Sequence, residues 1–130
     1  MTTVLIADDA LFMRKVLGDI LKREGLIIVG EVENGQAALD KYKELKPDLV
    51  TMDMVMPKVG EITNGIEAVR AIIKFDPNAK IVMVSSMGQV GLIIEAMQAG
   101  AKDFISKPFK QPRVAAAIKK ALYGEEESPK

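Results

Sequence analysis

Short apolar runs alternate along this chain with longer stretches in which apolar residues recur every three or four positions, a strand-then-helix rhythm. Thr3 to Ala7 reads as a first strand, and Leu11, Phe12, Val16, Leu17, Ile20 and Leu21 fall on one face of a first helix that Gly25 closes. Leu26 to Val32 predicts a second strand and Gly35 to Leu45 a second helix, before Pro47 leads into Leu49 to Met52. That third run is apolar without alternation, as expected of a strand covered on both faces. Asn64 to Lys74 predicts a third helix, with Asn64 and Glu67 spaced as a capping box. Lys80 to Val84 follows as a strand and Gln89 to Ala99 as a helix stopped by Gly100. Asp103 to Ile105 is a short fifth strand, and the last helix runs from about Pro112, suited to a first turn, to Tyr123. Five strands, each followed by a helix across short connections, predict an α/β domain over residues 1–123, a five-stranded parallel sheet with helices on both faces. Residues 124–130 form an acidic tail expected to be disordered.

Composition narrows the chemistry. The 130 residues suit one domain with its own core, and 18 basic residues against 18 acidic ones give no electrostatic case for nucleic acid. There is no His and no Cys, which removes disulfides, zinc sites and every imidazole or thiol nucleophile. Chemistry must therefore run on carboxylates, hydroxyls, lysines and oxygen-liking metals. No apolar run approaches the roughly 18 residues of a membrane span, and no charged-then-apolar leader opens the chain, so the expectation is a cytoplasmic protein.

The polar residues at strand ends give that chemistry a place. Asp8 and Asp9 end the first strand, Asp53 the third, Ser85 and Ser86 the fourth, and Lys107 the fifth, all on the carboxyl edge where parallel sheets gather ligands. For them to converge, strands one, three, four and five must be neighbours, which the strand order 2-1-3-4-5 provides. Carboxylates about 4 Å apart repel by about 4 kcal/mol per pair at an effective dielectric near 20, so a hard divalent cation is the natural compensation. Lys107 adds a fixed positive charge and Ser85 a hydroxyl donor. The set would hold a phosphoryl group on Asp53, a carboxylate able to act as nucleophile toward phosphorus.

Each residue also has a plainer explanation. Asp9 could cap the first helix, Lys107 could be a solvated loop charge, and Phe104 beside Ile105 could be core. Met52, Met54, Met56, Met83 and Met87 read as adaptable core or rim filler. None of these explains why unrelated caps and charges share one edge of the sheet.

In combination, Asp8-Asp9, Asp53 followed by Met56-Pro57, Ser85 and Lys107-Pro108 resemble the receiver domains of two-component response regulators, and among them the stand-alone chemotaxis regulators of the CheY type. The resemblance runs from about Thr3 to Tyr123. It implies that Asp53 accepts a phosphoryl group from a histidine kinase, and that Asp9, Asp53 and the main-chain carbonyl of Val55 hold Mg²⁺ or Mn²⁺ with help from Asp8. It also implies that Lys107 binds the phosphoryl group, that Ser85 moves inward to it, and that Phe104 follows into the vacated space. The surface of the fourth helix, fifth strand and fifth helix would then be read by a partner. The start of the first helix, Asp9 to Arg14, is similar to chemotaxis-type regulators, which implies a monomer acting on a flagellar switch protein, with a phosphatase as a further partner. A phosphorelay intermediate serving a phosphotransfer protein, or the receiver of a larger regulator, are the alternatives. Neither membrane nor nucleic acid is an implied partner, and the only catalysis implied is of its own phosphorylation and dephosphorylation.

Two departures from the pattern stand out. Seven residues, Lys58 to Asn64, separate Pro57 from Gly65 at the start of the third helix, where receivers usually have about three between that Pro and the helix-opening Gly. This longer loop is expected either to be inert or to present Glu61 and Ile62 as a bump for a partner or a partial cover over Asp53. Val55 and Met87, two residues beyond Asp53 and Ser85, are apolar where the family tunes hydrolysis of the acyl phosphate, which predicts a long-lived phosphoryl group. Other classes fit less well. Aspartyl phosphatases need an Asp-x-Asp spacing that Asp8-Asp9 lacks. Nucleotide- and flavin-binding relatives of the fold need a glycine- or hydroxyl-rich loop where two acids stand.

Overall fold

The computed structural model describes residues 1–124. The tail expectation falls almost entirely on residues 125–130, outside the described part. The elements are β1 (Thr3–Ala7), α1 (Leu11–Arg23), β2 (Ile27–Val32), α2 (Gly35–Leu45), β3 (Leu49–Met52), α3 (Gly65–Phe75), β4 (Ile81–Ser85), α4 (Val90–Ala99), β5 (Asp103–Ser106) and α5 (Gln111–Tyr123). The strands pair in parallel in the order β2-β1-β3-β4-β5, as expected.

Successive residues of the inner strands feed two separate cores, which is why their sequences read as unbroken apolar runs. Leu5, Val50, Met52, Ile81 and Met83 pack against α2, α3 and α4, whereas Val4, Ile6, Leu49, Val82 and Val84 pack against α1 and α5. Phe104 belongs to the first core and Ile105 to the second. Met52, Met54, Met56 and Met83 are buried as filler, and Met87 lies on the rim.

Helix boundaries match the expected ones to within a residue or two, with three corrections in detail. Ala10, not Asp9, is the N-cap residue of α1, and it makes no side-chain cap bond. Leu11 and Phe12 are exposed rather than core-facing, and the buried face of α1 begins only at Leu17. The capping box of α3 is displaced: Asn64 Oδ1 accepts from the Glu67 amide at 2.9 Å, but the Glu67 carboxylate accepts from the amide and hydroxyl of Thr63.

The long loop turns back on itself and sends one of its two expected residues into the core. Val59 and Ile62 exchange two main-chain hydrogen bonds of 3.3 Å around Gly60-Glu61, and Gly60 takes the positive φ of 63° that the first central position of such a turn favours. Ile62 is buried in the α2–α3 core, so close above α2 that a Cβ on Gly35 would fall 2.5 Å from it. Only Glu61 of the expected pair is exposed.

Candidate functional site

Asp8 is the most constrained residue of the site. Its amide donates to the Val32 carbonyl at 3.0 Å, its carbonyl accepts from Arg14 Nη1 at 2.8 Å, Oδ1 accepts from the Ala10 amide at 2.9 Å, and Oδ2 accepts from Lys107 Nζ at 2.8 Å. The Oδ1 bond is a local turn of the kind aspartate forms two residues on, and it starts α1 without a cap. Asp9, next in the chain, is left exposed at the edge.

Asp53 follows β3 directly. Its amide donates to the Ala7 carbonyl at 2.9 Å, which carries the β1–β3 pairing one step past the strand and brings Asp53 beside Asp8. The carboxylate accepts from the Met54 amide at 2.8 Å and lies 3.4 Å from Lys107 Nζ. Gly65 fixes the far side of this turn: its amide donates to the Met54 carbonyl at 2.8 Å, and a Cβ there would sit 2.0 Å from the Asp53 carbonyl oxygen. No other residue fits that approach, so the longer loop rejoins the chain beside Asp53 through Gly65.

Oxygens of Asp8, Asp9 and Asp53 lie within 4.8 Å of one another, with Lys107 as the cation bonded into the set. Burial raises the Asp53 carboxyl above its ordinary value; Lys107 and the Met54 amide pull it down, Asp8 pushes it up, and the rise prevails. Three carboxylates against one ammonium suit a hard divalent cation bound through oxygen.

Ser85, 1% exposed, ends β4 and accepts from the Met87 amide at 3.2 Å, leaving its proton free to donate elsewhere. Phe104 lies opposite Met83 in the β4–β5 register, on the same face of the sheet as Ser85 two residues on. It is 7% exposed, already packed in the core rather than waiting outside it. Val55 and Met87 are respectively 54% and 36% exposed beside the carboxylates and Ser85. The structure thus brings Asp8, Asp9, Asp53 and Lys107 into one group and places Ser85 and Phe104 on one face of neighbouring strands.

Two supports escaped the sequence. Arg14 links the Asp8 carbonyl to Glu31 Oε1 on β2, 3.0 Å from its Nε. Nothing in its spacing distinguishes it from any polar residue of an amphipathic helix. Gly65 had a signal, as the first glycine before a helical pattern after Met-Pro, but not its reason.

Comparison with known proteins agrees with this geometry. Residues 4–119 match the response regulator receiver domain family. The chain belongs to that family. It is 56% identical to the chemotaxis protein CheY of Thermotoga maritima over 90% of this chain and 94% of that one, and 52% identical to CheY of Bacillus subtilis over 92% and 96%. Among solved structures it resembles CheY in the CheX–CheY–BeF3–Mg complex from Borrelia burgdorferi (36% identity, TM-score 0.85, 91% of this chain and 87% of that one). The response regulator domain of Thermotoga maritima CheB is 38% identical, with a TM-score of 0.83 over 99% of each chain. Receiver domains bind Mg²⁺ in an acidic pocket, and Asp8, Asp9 and Asp53 form such a pocket here. No helix of the described residues is long and apolar enough to cross a membrane.

Proposed function

We propose that this receiver is a chemotaxis response regulator in which Asp53 accepts a phosphoryl group from a histidine kinase and the α4–β5–α5 surface carries the signal to a flagellar switch protein. The observation that carries the chemistry is the buried Asp53 carboxylate between two further acids and a lysine, at the carboxyl edge of a parallel sheet. Identity at more than half of the aligned positions to two chemotaxis regulators supports the output, and disfavours a phosphorelay intermediate or the receiver of a larger regulator.

An oxygen of Asp53 attacks the phosphorus of a phosphohistidine; the new P–O bond forms as the P–N bond breaks, and the imidazole leaves with the electron pair. Asp8, Asp9 and Asp53, with the Val55 carbonyl implied by the family, would hold Mg²⁺ or Mn²⁺, and a bound ion would supply positive charge against the phosphoryl oxygens. Lys107 stands 3.4 Å from Asp53, close enough to take a phosphoryl oxygen in exchange for its bond to Asp8. The Ser85 proton and the Met54 amide are further donors on that edge. The chain catalyses only its own phosphorylation and dephosphorylation.

Ser85 and Phe104 would convert the charge into a change of packing, since both lie on the face that α4 covers. Val90, Ile94 and Met97 form an exposed apolar stripe along α4 for a partner to read. A CheX-like protein is a further candidate partner, as the Borrelia relative forms such a complex. Reductive trapping of the acyl phosphate with labelled borohydride, after reaction with acetyl phosphate and Mg²⁺, tests the acceptor. Label is expected in the peptide containing Asp53 alone, and label at Asp8 or Asp9 instead would overturn the assignment.

A further inference from the structure

Arg113 stands in the first turn of α5, where the helix dipole disfavours a cation and where the helix carries no acid to offset it. What holds it there lies on β5. Arg113 Nη1 donates to Asp103 Oδ2 at 3.0 Å, and Nη2 donates both to Asp103 Oδ1 at 3.1 Å and to the Phe104 carbonyl at 3.0 Å. Asp103 Oδ1 in turn accepts from the Phe104 amide at 2.8 Å. Both main-chain polar groups of Phe104 are therefore closed into one ring with a guanidinium and a carboxylate. Burial raises the Asp103 carboxyl, but Arg113 and the Phe104 amide outweigh it and hold it below its ordinary value, so the ring forms with Asp103 ionised.

β5 is an edge strand, so these side chains serve the outer side of Phe104, where no strand of the described residues pairs. Because the backbone angles of a residue restrict its side-chain rotamers, fixing both peptide groups around Phe104 favours one position of its ring. The ring is buried in the α2–α4 core while its backbone is fastened, on the other face, to α5.

We infer that the Arg113–Asp103 clamp sets the resting position of the Phe104 ring, making α5 an input to the switch as well as part of the surface that reports it. This rests on the switch role proposed for Phe104. Arg113 is a positioning residue: it is hydrogen-bonded neither to Asp8, Asp9 and Asp53 nor to Ser85, and it acts through the backbone of Phe104. Its side chain remains 45% exposed, so a partner carboxylate docking on α5 could compete for it and open the clamp.

The test places 4-fluorophenylalanine at position 104 of the full chain and follows its fluorine resonance in the unphosphorylated protein, for wild type, Arg113→Gln, Arg113→Lys and Asp103→Asn. Wild type is expected to show one resonance, with any second state near about 1%. Arg113→Gln and Asp103→Asn are expected to raise a solvent-exposed second resonance to about 10% or more, a roughly tenfold shift in equilibrium. Arg113→Lys, which keeps the charge but loses the fork that spans carboxylate and carbonyl, is expected to fall between. Melting temperatures show that the variants remain folded, and Mg²⁺ affinity is expected to be unchanged. A single unshifted resonance in folded Arg113→Gln and Asp103→Asn would overturn the clamp. A wild-type resonance unmoved by beryllofluoride with Mg²⁺ would instead overturn the switch role of Phe104 on which the inference rests.

Discussion

Asp53 sits under opposing influences, and their balance has a measurable sign. Its folded-state pKa is raised, chiefly by burial, with Lys107 opposing and Asp8 adding to the rise. The native protein therefore keeps this proton to higher pH than the unfolded chain does. The stability tied to Asp53 is full below its ordinary value of 3.8 and is lost as pH rises through the folded pKa. Without metal, Asp53→Asn is expected to melt higher than wild type at pH 7, with the gap closing as the pH falls toward 3.8; a lower melting temperature at pH 7 would contradict it. Val55 carries a second prediction. It is exposed beside the acceptor but offers no hydrogen bond to an attacking water. Val55→Asn supplies one, worth about 1 kcal/mol, so the acyl phosphate should hydrolyse about fivefold faster, as followed by loss of the phosphorylated mass; an equal or slower rate would refute the effect. The acids were legible because each ends an apolar run and chain order alone brings them to one edge. Arg14 and Arg113 were not, because a long side chain reaches across elements to a carbonyl that leaves no trace in spacing.

Among the elements, the turn between β3 and α3 shows how a longer loop can be anchored at both ends. Ile62 anchors the insertion in the α2–α3 core while Gly65 closes against Asp53, so the added residues are taken up as a small hairpin beside α2. Ile62→Ala is expected to cost about 2–4 kcal/mol in denaturant unfolding, as for other buried Ile positions, and Glu61→Ala less than about 0.5 kcal/mol. Equal effects would mean that the hairpin is not anchored through Ile62. A loop of seven residues has neither helical nor strand periodicity, so sequence could not distinguish a core plug from a bump. The first turn of α1 failed for the converse reason: Leu11 and Phe12 fit the period, but the period does not say which turns of a helix have core beneath them. Leu49 to Met52 was read correctly because burial on both faces leaves a pattern that a half-exposed strand cannot.

At the scale of the whole molecule, one sheet divides two cores, and the site lies where the strands of both emerge. Phe104 faces the α2–α4 core and Ile105 the α1–α5 core, so adjacent residues of β5 belong to opposite halves of the protein. A charge added at Asp53 can therefore alter packing under α4, while the clamp from α5 holds the same strand from the other side. All of this depends on Asp53 being the residue that takes the phosphoryl group. Intact mass after incubation with acetyl phosphate, with and without Mg²⁺, tests that directly on wild type and Asp53→Asn. The expected result is the gain of a single phosphoryl group in wild type only when Mg²⁺ is present, and none in the variant. The same gain in Asp53→Asn, or no gain in wild type with Mg²⁺, would contradict it.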